Sequence, residues 1–393
     1  MTSLPRLDIL LYAHDGRGLG HISRSISIGL SLRRLFPNLK VIVLTGSPYA
    51  QMLTCKKPIE IIKLPSYQVT IKDGESIGQK SYSNYNDKHL ARIRSGLIKA
   101  IILQTRPRCI LVDHLPFGKE NELLESIQES IKDCIWILGV RAVSGMIKQI
   151  QELEVDSSVL SHYTHFFWYG DSKIIPCNYR TTQVPSKWEI EETGYISRSY
   201  ELDKWNSINR SYENRCGCIV SFTWLTAKSR IVLQELVKLI DKVKDHWGNW
   251  IFFLGNDYSC GNVTEIISTI KKNPFCKVEP LGEKYLSQLK QSKFAIIAGG
   301  YNSLTDLLWA QTPGIVFYHS MIDKEQEIHS NLISNFCEGR VESMQENRIN
   351  ISELEDSIKR VIAKPCLDLN EVITGSEVAA KRIAEIIKSS NEK

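Results

Sequence analysis

No stretch of this 393-residue chain approaches the roughly 20 consecutive apolar residues of a membrane-spanning helix, so the sequence predicts no transmembrane segment. The opening MTSLPRLDILLYAHDG is interrupted by Asp8 and His14 before a signal-peptide pattern develops, and reads instead as a first buried strand. The ten cysteines are dispersed and have no metal-ligand spacing; the nearest approach, Cys216-Gly-Cys218, lacks a second pair or a histidine cluster. Two strand residues packing on one face explain that pair, and the expectation is a cytoplasmic protein with reduced thiols and no metal. Dense basic tracts are also absent: the net charge is only +5, with cations scattered among acidic residues, which does not imply nucleic acid. A weakly basic face would suit peripheral contact with anionic lipid or a diphosphate equally well.

What is present is alternation. Short apolar runs at Leu7–Ala13, Val41–Thr45, Ile59–Leu64, Cys109–Asp113 and Cys134–Gly139 are interspersed with the helical stretches Gly20–Phe36 and Gly118–Ile131. After an irregular connector, roughly Pro176–Tyr212, the pattern restarts with strands at Gly217–Phe222, Trp250–Leu254, Lys277–Glu279, Phe294–Ala298 and Gly314–Tyr318. Helices are expected between them and at Glu325–Asn335, Ile351–Ala363 and Glu377–Ile387. This predicts an α/β chain of two Rossmann-like domains, 1–190 and 191–365, facing across a cleft, with residues 366–393 forming a C-terminal helix that packs back on the first domain. The polar segment Lys72–Lys88 reads as a long loop over an acceptor or on the surface.

Two glycine motifs occupy strand-to-helix turns. The first, His14-Asp-Gly-Arg-Gly-Leu-Gly-His21, follows the first strand. Gly18 and Gly20 allow a close approach to a helix N-terminus, and His21, beyond the carboxyl end of a parallel strand, can accept a proton near neutral pH from an acceptor hydroxyl. A cap or packing role at the helix start fits the same residue. NAD is not expected, because the spacing is G-x-G-x-G and the second strand ends in Thr45-Gly46-Ser47 without an acidic residue. Asp113-His114, ending a later strand, is a second candidate pair for base or acceptor positioning, and Arg24 and Arg141 are candidate partners for acceptor charge.

The second motif is Ala298-Gly-Gly-Tyr-Asn-Ser-Leu-Thr-Asp306. Gly299 and Gly300 clear space for a diphosphate, Asn302 and Ser303 supply donors in the first helical turn, and Asp306 one turn on can accept from ribose hydroxyls. A purely structural corner fits too. Asp323-Lys-Glu-Gln326 offers carboxylate and amide groups to sugar hydroxyls, or a helix cap.

In combination these segments resemble the GT-B glycosyltransferases related to family 28, which include the N-acetylglucosaminyltransferase that completes the peptidoglycan lipid precursor. Closer still is a group of predicted bacterial glycosyltransferases with Gly-x-Gly-His-x-x-Arg, Asp-His-x-Pro-x-Gly and Gly-Tyr-Asn-Thr/Ser motifs. They match Gly18-Leu-Gly-His-Ile-Ser-Arg24, Asp113-His-Leu-Pro-Phe-Gly118 and Gly300-Tyr-Asn-Ser303 here. The resemblance implies a nucleotide diphosphate sugar, commonly a uridine one, as co-substrate, with no cofactor required. It further implies Gly299, Gly300, Asn302 and Ser303 on the diphosphate, Asp306 on the ribose, Asp323, Glu325 and Gln326 on the ribose or sugar, and His21 as base in an inverting, metal-independent transfer to an acceptor hydroxyl or amine. One departure is Ser221-Phe-Thr-Trp-Leu225, where relatives often carry a glycine-rich turn; Ser221 and Thr223 would there replace backbone donors with hydroxyls. A hydrolase or epimerase acting on the nucleotide sugar, or a nucleotide-sugar-binding protein without turnover, are the competing readings.

Overall fold

The computed structural model describes residues 5–15, 19–72, 75–79, 83–129, 134–143, 161–176, 190–206, 217–223, 225, 227–255, 263–280, 282–319 and 324–391. The chain divides into two compact units, Met1–Trp205 with Val372–Lys393, and Asn206–Glu371. Residues 191–205, assigned from sequence to the second domain, thus lie with the first unit.

The first unit is built on a seven-stranded parallel sheet in the order β3-β2-β1-β6-β7-β8-β9. Its strands are β1 (Ile9–Ala13), β2 (Val41–Thr45), β3 (Glu60–Lys63), β6 (Cys109–Asp113), β7 (Ile135–Arg141), β8 (Tyr163–Tyr169) and β9 (Ile190–Glu192). β4 (Gln68–Lys72) and β5 (Glu75–Gln79) form a separate antiparallel hairpin. The segment Lys72–Lys88, expected to be a loop, therefore holds half a hairpin and the start of a helix. The helices are α1 (Gly20–Leu35), α2 (Ala50–Leu53), α3 (Asp87–Thr105), α4 (Leu124–Gln128) and α5 (Arg198–Asn206). β1 and β6 are buried at every position, as expected of strands covered on both faces, and they read as unbroken apolar runs for that reason. The core gathers Leu10, Ile110, Phe117, Trp136, Leu138 and Phe166.

The single helix expected over Gly118–Ile131 is broken. Gly118 sits at φ 70° and Glu120 at 52°, leaving only a 3₁₀ turn and the short α4 before residue 129. The break turns Glu122 inward, where it is 1% exposed and accepts from Arg94 Nε at 2.5 Å and Nη2 at 2.8 Å. The hydroxyls of Tyr12 and, at 3.1 Å, Tyr67 also donate to it. Burial and the Glu122 carboxylate hold both phenols well above the ordinary tyrosine range. Arg94 Nη1 completes the network in an ion pair with Asp15 at 2.6 Å. Arg94 has no solvent exposure, so Arg94→Met strands two buried carboxylates and is expected to cost about 3–5 kcal/mol of stability in urea unfolding. A loss below about 1 kcal/mol would show the pair to be dispensable.

The second unit carries a six-stranded parallel sheet in the order β12-β11-β10-β13-β14-β15. These are β10 (Cys218–Phe222), β11 (Trp250–Leu254), β12 (Cys276–Pro280), β13 (Phe294–Ala298), β14 (Gly314–Tyr318) and β15 (Val341–Gln345). They alternate with α6 (Ala227–Val243), α7 (Val263–Lys272), α8 (Glu283–Gln291), α9 (Tyr301–Ala310), α10 (Glu325–Phe336) and α11 (Ile351–Ala363). Phe294 packs edge-on against Trp247 at 5.5 Å and Trp250 at 5.4 Å, closing the bottom of this core.

The last helix, α12 (Gly375–Asn391), returns to the first unit and packs along α1. Arg34 on α1 bridges the buried Glu201 of α5 at 2.8 Å and Glu377 of α12 at 2.6 Å. Tyr195 N donates to Val372 O and Gly375 N to Tyr195 O, stitching the helix start to the chain before α5.

Candidate functional site

In each sheet the strand order reverses beside the first strand, between β1 and β6 in the first unit and between β10 and β13 in the second. Crevices at the carboxyl ends of such strands are where open parallel sheets bind ligands. Both glycine motifs emerge at these two places.

In the first unit the crevice is filled by imidazoles and guanidiniums. His14 follows β1, His21 lies in the first turn of α1, Asp113 ends β6 with His114 next, and Arg141 ends β7. Asp113, 1% exposed, accepts from Arg24 Nε at 3.2 Å and Nη2 at 2.8 Å, and its Oδ2 lies 3.1 Å from His21 Nδ1. Although burial opposes its charge, Arg24 and His21 hold its pKa below the usual carboxylate range. An ionised carboxylate only accepts, so it fixes the proton of His21 on Nδ1 and leaves Nε2 as a free lone pair. His21 Nδ1 also lies 3.1 Å from Arg24 Nη2; two donors face each other there, and the shared carboxylate offsets their repulsion. The expected near-neutral titration of His21 is not met: burial pulls its pKa down to about 4, with Asp113 opposing the shift. At that pKa the ring is neutral at pH 7, and its side chain, 17% exposed, is still reachable.

His114 takes the left-handed conformation at φ 71°, with its N–H donated to Gly139 O. Its Nε2 stands 3.0 Å from Arg141 Nη2. The His14 ring centroid lies 3.8 Å from that of His21, and the His114 ring stacks with His21 at 5.9 Å and 28°. Burial holds His14 and His114 well below the ordinary histidine pKa. Gly20 opens α1, and Gly18 lies outside the described residues. His14 carried no role in the sequence reading, although its place right after a strand would have marked it.

Three imidazoles that are neutral when folded and free to protonate when unfolded make stability depend on pH. Their folded pKa values lie below the unfolded value near 6.5, so the unfolded state binds more protons below that pH and stability falls as pH drops. Between pH 7 and 5.5 the loss should reach roughly 1 kcal/mol for each ring, or about 3–4 kcal/mol in all. Denaturant unfolding at the two pH values reads this directly; equal stabilities would mean the rings are not held neutral.

In the second unit Gly300 is the N-cap of α9 at φ −76° and ψ 150°, and no side chain caps the helix. A Cβ on Gly300 would meet nothing within 4 Å, whereas one on Gly299 would lie 2.7 Å from Ser330 Oγ. Close packing thus accounts for Gly299 but not for Gly300, which leaves open space before the bare N–H groups of the first turn. Asn302 and Ser303 stand half-buried in that turn and Asp306 half-buried in the next. Ser221 is 2% exposed inside β10, while Thr223 is exposed just past the strand. Glu325 and Gln326 open α10, and Gln326 Oε1 accepts from His319 N at 3.1 Å. Asp323 lies outside the described residues, and the N-cap is Lys324. Sequence reasoning missed a buried group beside this turn: His319 Nδ1 lies 2.5 Å from Glu346, which also accepts from Ser229 Oγ at 3.1 Å. Among the described residues, no three or more of His, Cys, Asp and Glu are arranged to hold a metal ion.

No protein-family model and no curated protein matches the sequence. Solved structures do match in fold. The S. aureus MnaA–UDP structure aligns at TM-score 0.63 and 11% identity, over 98% of this chain and 97% of that one. Acinetobacter baumannii MurG aligns at 0.54 and 12%, over 99% and 100%. The chain has the GT-B fold. A third GT-B structure, the UDP-GlcNAc 2-epimerase of Methanocaldococcus jannaschii, aligns at 0.60 and 12%, over 97% and 99%. No helix among the described residues is long and apolar enough to cross a membrane.

Proposed function

We propose that the chain is a glycosyltransferase that moves a sugar from a nucleotide diphosphate sugar, a uridine one by analogy with the UDP-bound MnaA structure, to an acceptor hydroxyl. The observation that carries the reading is the uncapped α9 N-terminus, opened by a glycine that packing does not require, at the strand-order reversal of the second sheet. Backbone N–H groups behind Gly299 and Gly300, with Asn302 and Ser303, hold the diphosphate in this reading. Asp306 takes the ribose; Asp323, Glu325 and Gln326 take ribose or sugar, and Thr223 and Ser221 border the donor. In the first unit Gly18, Gly20 and Arg24 shape the acceptor loop.

The chemistry follows from the His21–Asp113 pair. The acceptor oxygen attacks the anomeric carbon as its proton passes to His21 Nε2, and the imidazolium formed lies beside the Asp113 carboxylate. The bond from the anomeric carbon to the diphosphate oxygen breaks, and its electron pair leaves on the diphosphate, which the positive end of α9 stabilises. Backside attack inverts the carbon, and the reading requires no metal. Transfer of labelled sugar from a UDP-sugar, dependent on an added acceptor, tests this.

The alignment with the Methanocaldococcus jannaschii UDP-GlcNAc 2-epimerase structure at TM-score 0.60 favours one second reading, rearrangement of the nucleotide sugar itself. Conversion of the donor with no acceptor present would establish it in place of transfer.

A further inference from the structure

His14 is 8% exposed, and among the described residues neither of its ring nitrogens makes a hydrogen bond of full geometry, although the Asp15 backbone acts on the ring. His114 is 6% exposed; because arginine only donates, its Nε2 must be the acceptor toward Arg141, so its proton sits on Nδ1, which is buried and unpartnered. His21, with Nδ1–H turned to Asp113, offers Nε2 as an acceptor. Buried polar groups are nearly always paired, so three adjoining rings with unused nitrogens point to a ligand that supplies the partners.

The unused set comprises an acceptor on His21, a donor on His114, and one of each on His14. A carboxylate or phosphate cannot donate to the two acceptors. An ammonium cannot accept from His114 and would face Arg24 and Arg141. A hydroxyl does both, and two neighbouring hydroxyls present the required alternation. We propose that His14 and His114 are acceptor-binding residues which, with His21, read a vicinal diol on an uncharged glycoside. The inference rests on reading the first unit as the acceptor side.

Histidine-labelled full-length protein, titrated with methyl glucoside, galactoside and mannoside while imidazole nitrogen resonances are followed, provides the test. The His14 and His114 signals should move saturably with at least one glycoside, and not with inorganic phosphate or methylamine. His14→Phe should weaken that binding by about tenfold, the loss of one hydrogen-bonding group, while His14→Gln, which keeps a donor and an acceptor, should restore most of it. UDP binding, measured on the same samples, should be unchanged in both variants. Silent His14 and His114 signals with all three glycosides, or equal shifts with phosphate, overturn the proposal. Glycoside binding without any UDP binding would instead sink the transferase reading and leave this one standing.

Discussion

His21→Ala should lower kcat/KM for sugar transfer by about 10²–10⁴-fold, the usual contribution of a positioned base, while leaving UDP affinity unchanged. The two readouts separate because His21 and α9 belong to different units. The pH profile of the unaltered protein makes the prediction sharper. Activity needs the unprotonated ring, and burial puts the His21 pKa at about 4, so kcat/KM should be flat from pH 6 to 8 and fall only as pH drops through that value. A limb centred near 6.5 would mean an ordinary exposed histidine does the work. Asp113→Asn should also be severely impaired, since an amide no longer fixes the Nδ1–H form and leaves the buried Arg24 without its carboxylate.

Gly300→Asp should weaken UDP binding by about 100-fold, or roughly 2.7 kcal/mol, without destabilising the protein. Aspartate is among the best N-cap residues, the backbone at 300 already has the extended conformation that caps adopt, and its side chain has open space. It would satisfy the first-turn N–H groups itself and place a negative charge where the diphosphate sits. Stability held or raised, together with lost binding, is a combination that structural damage cannot produce. Gly299→Ala is the contrast: its methyl meets Ser330 and Val316, so it should cost about 1–3 kcal/mol of stability.

The strands that sequence reading placed to the residue, Val41–Thr45, Cys109–Asp113, Trp250–Leu254, Phe294–Ala298 and Gly314–Tyr318, are inner or well-covered strands, whose burial on both faces writes a continuous apolar run. β15, at the sheet edge, reads Val-Glu-Ser-Met-Gln and carries no such run, and β9 has only three residues, so neither is visible; the inner strand β8 is not read from sequence either, its run opening with the polar pair Thr164-His165. The helix expected from Gly118 is interrupted by the positive φ of Gly118 and Glu120, and the turn so formed lets Glu122 meet Arg94. The same division holds at the candidate site. His21, Gly299 and Gly300 sit in local strand-turn-helix motifs that a sequence displays directly. Arg94 with Glu122, or His319 with Glu346 and Ser229, meet only after folding, across 28, 27 and 117 residues of chain, and no spacing announces them.

A crystal structure of the protein with UDP tests the central claim most directly. The account predicts diphosphate oxygens within hydrogen-bond distance of the backbone N–H groups of Asn302 and Ser303, against the bare face of Gly300. A nucleotide seated on the first unit, or a diphosphate turned away from the start of α9, would contradict it.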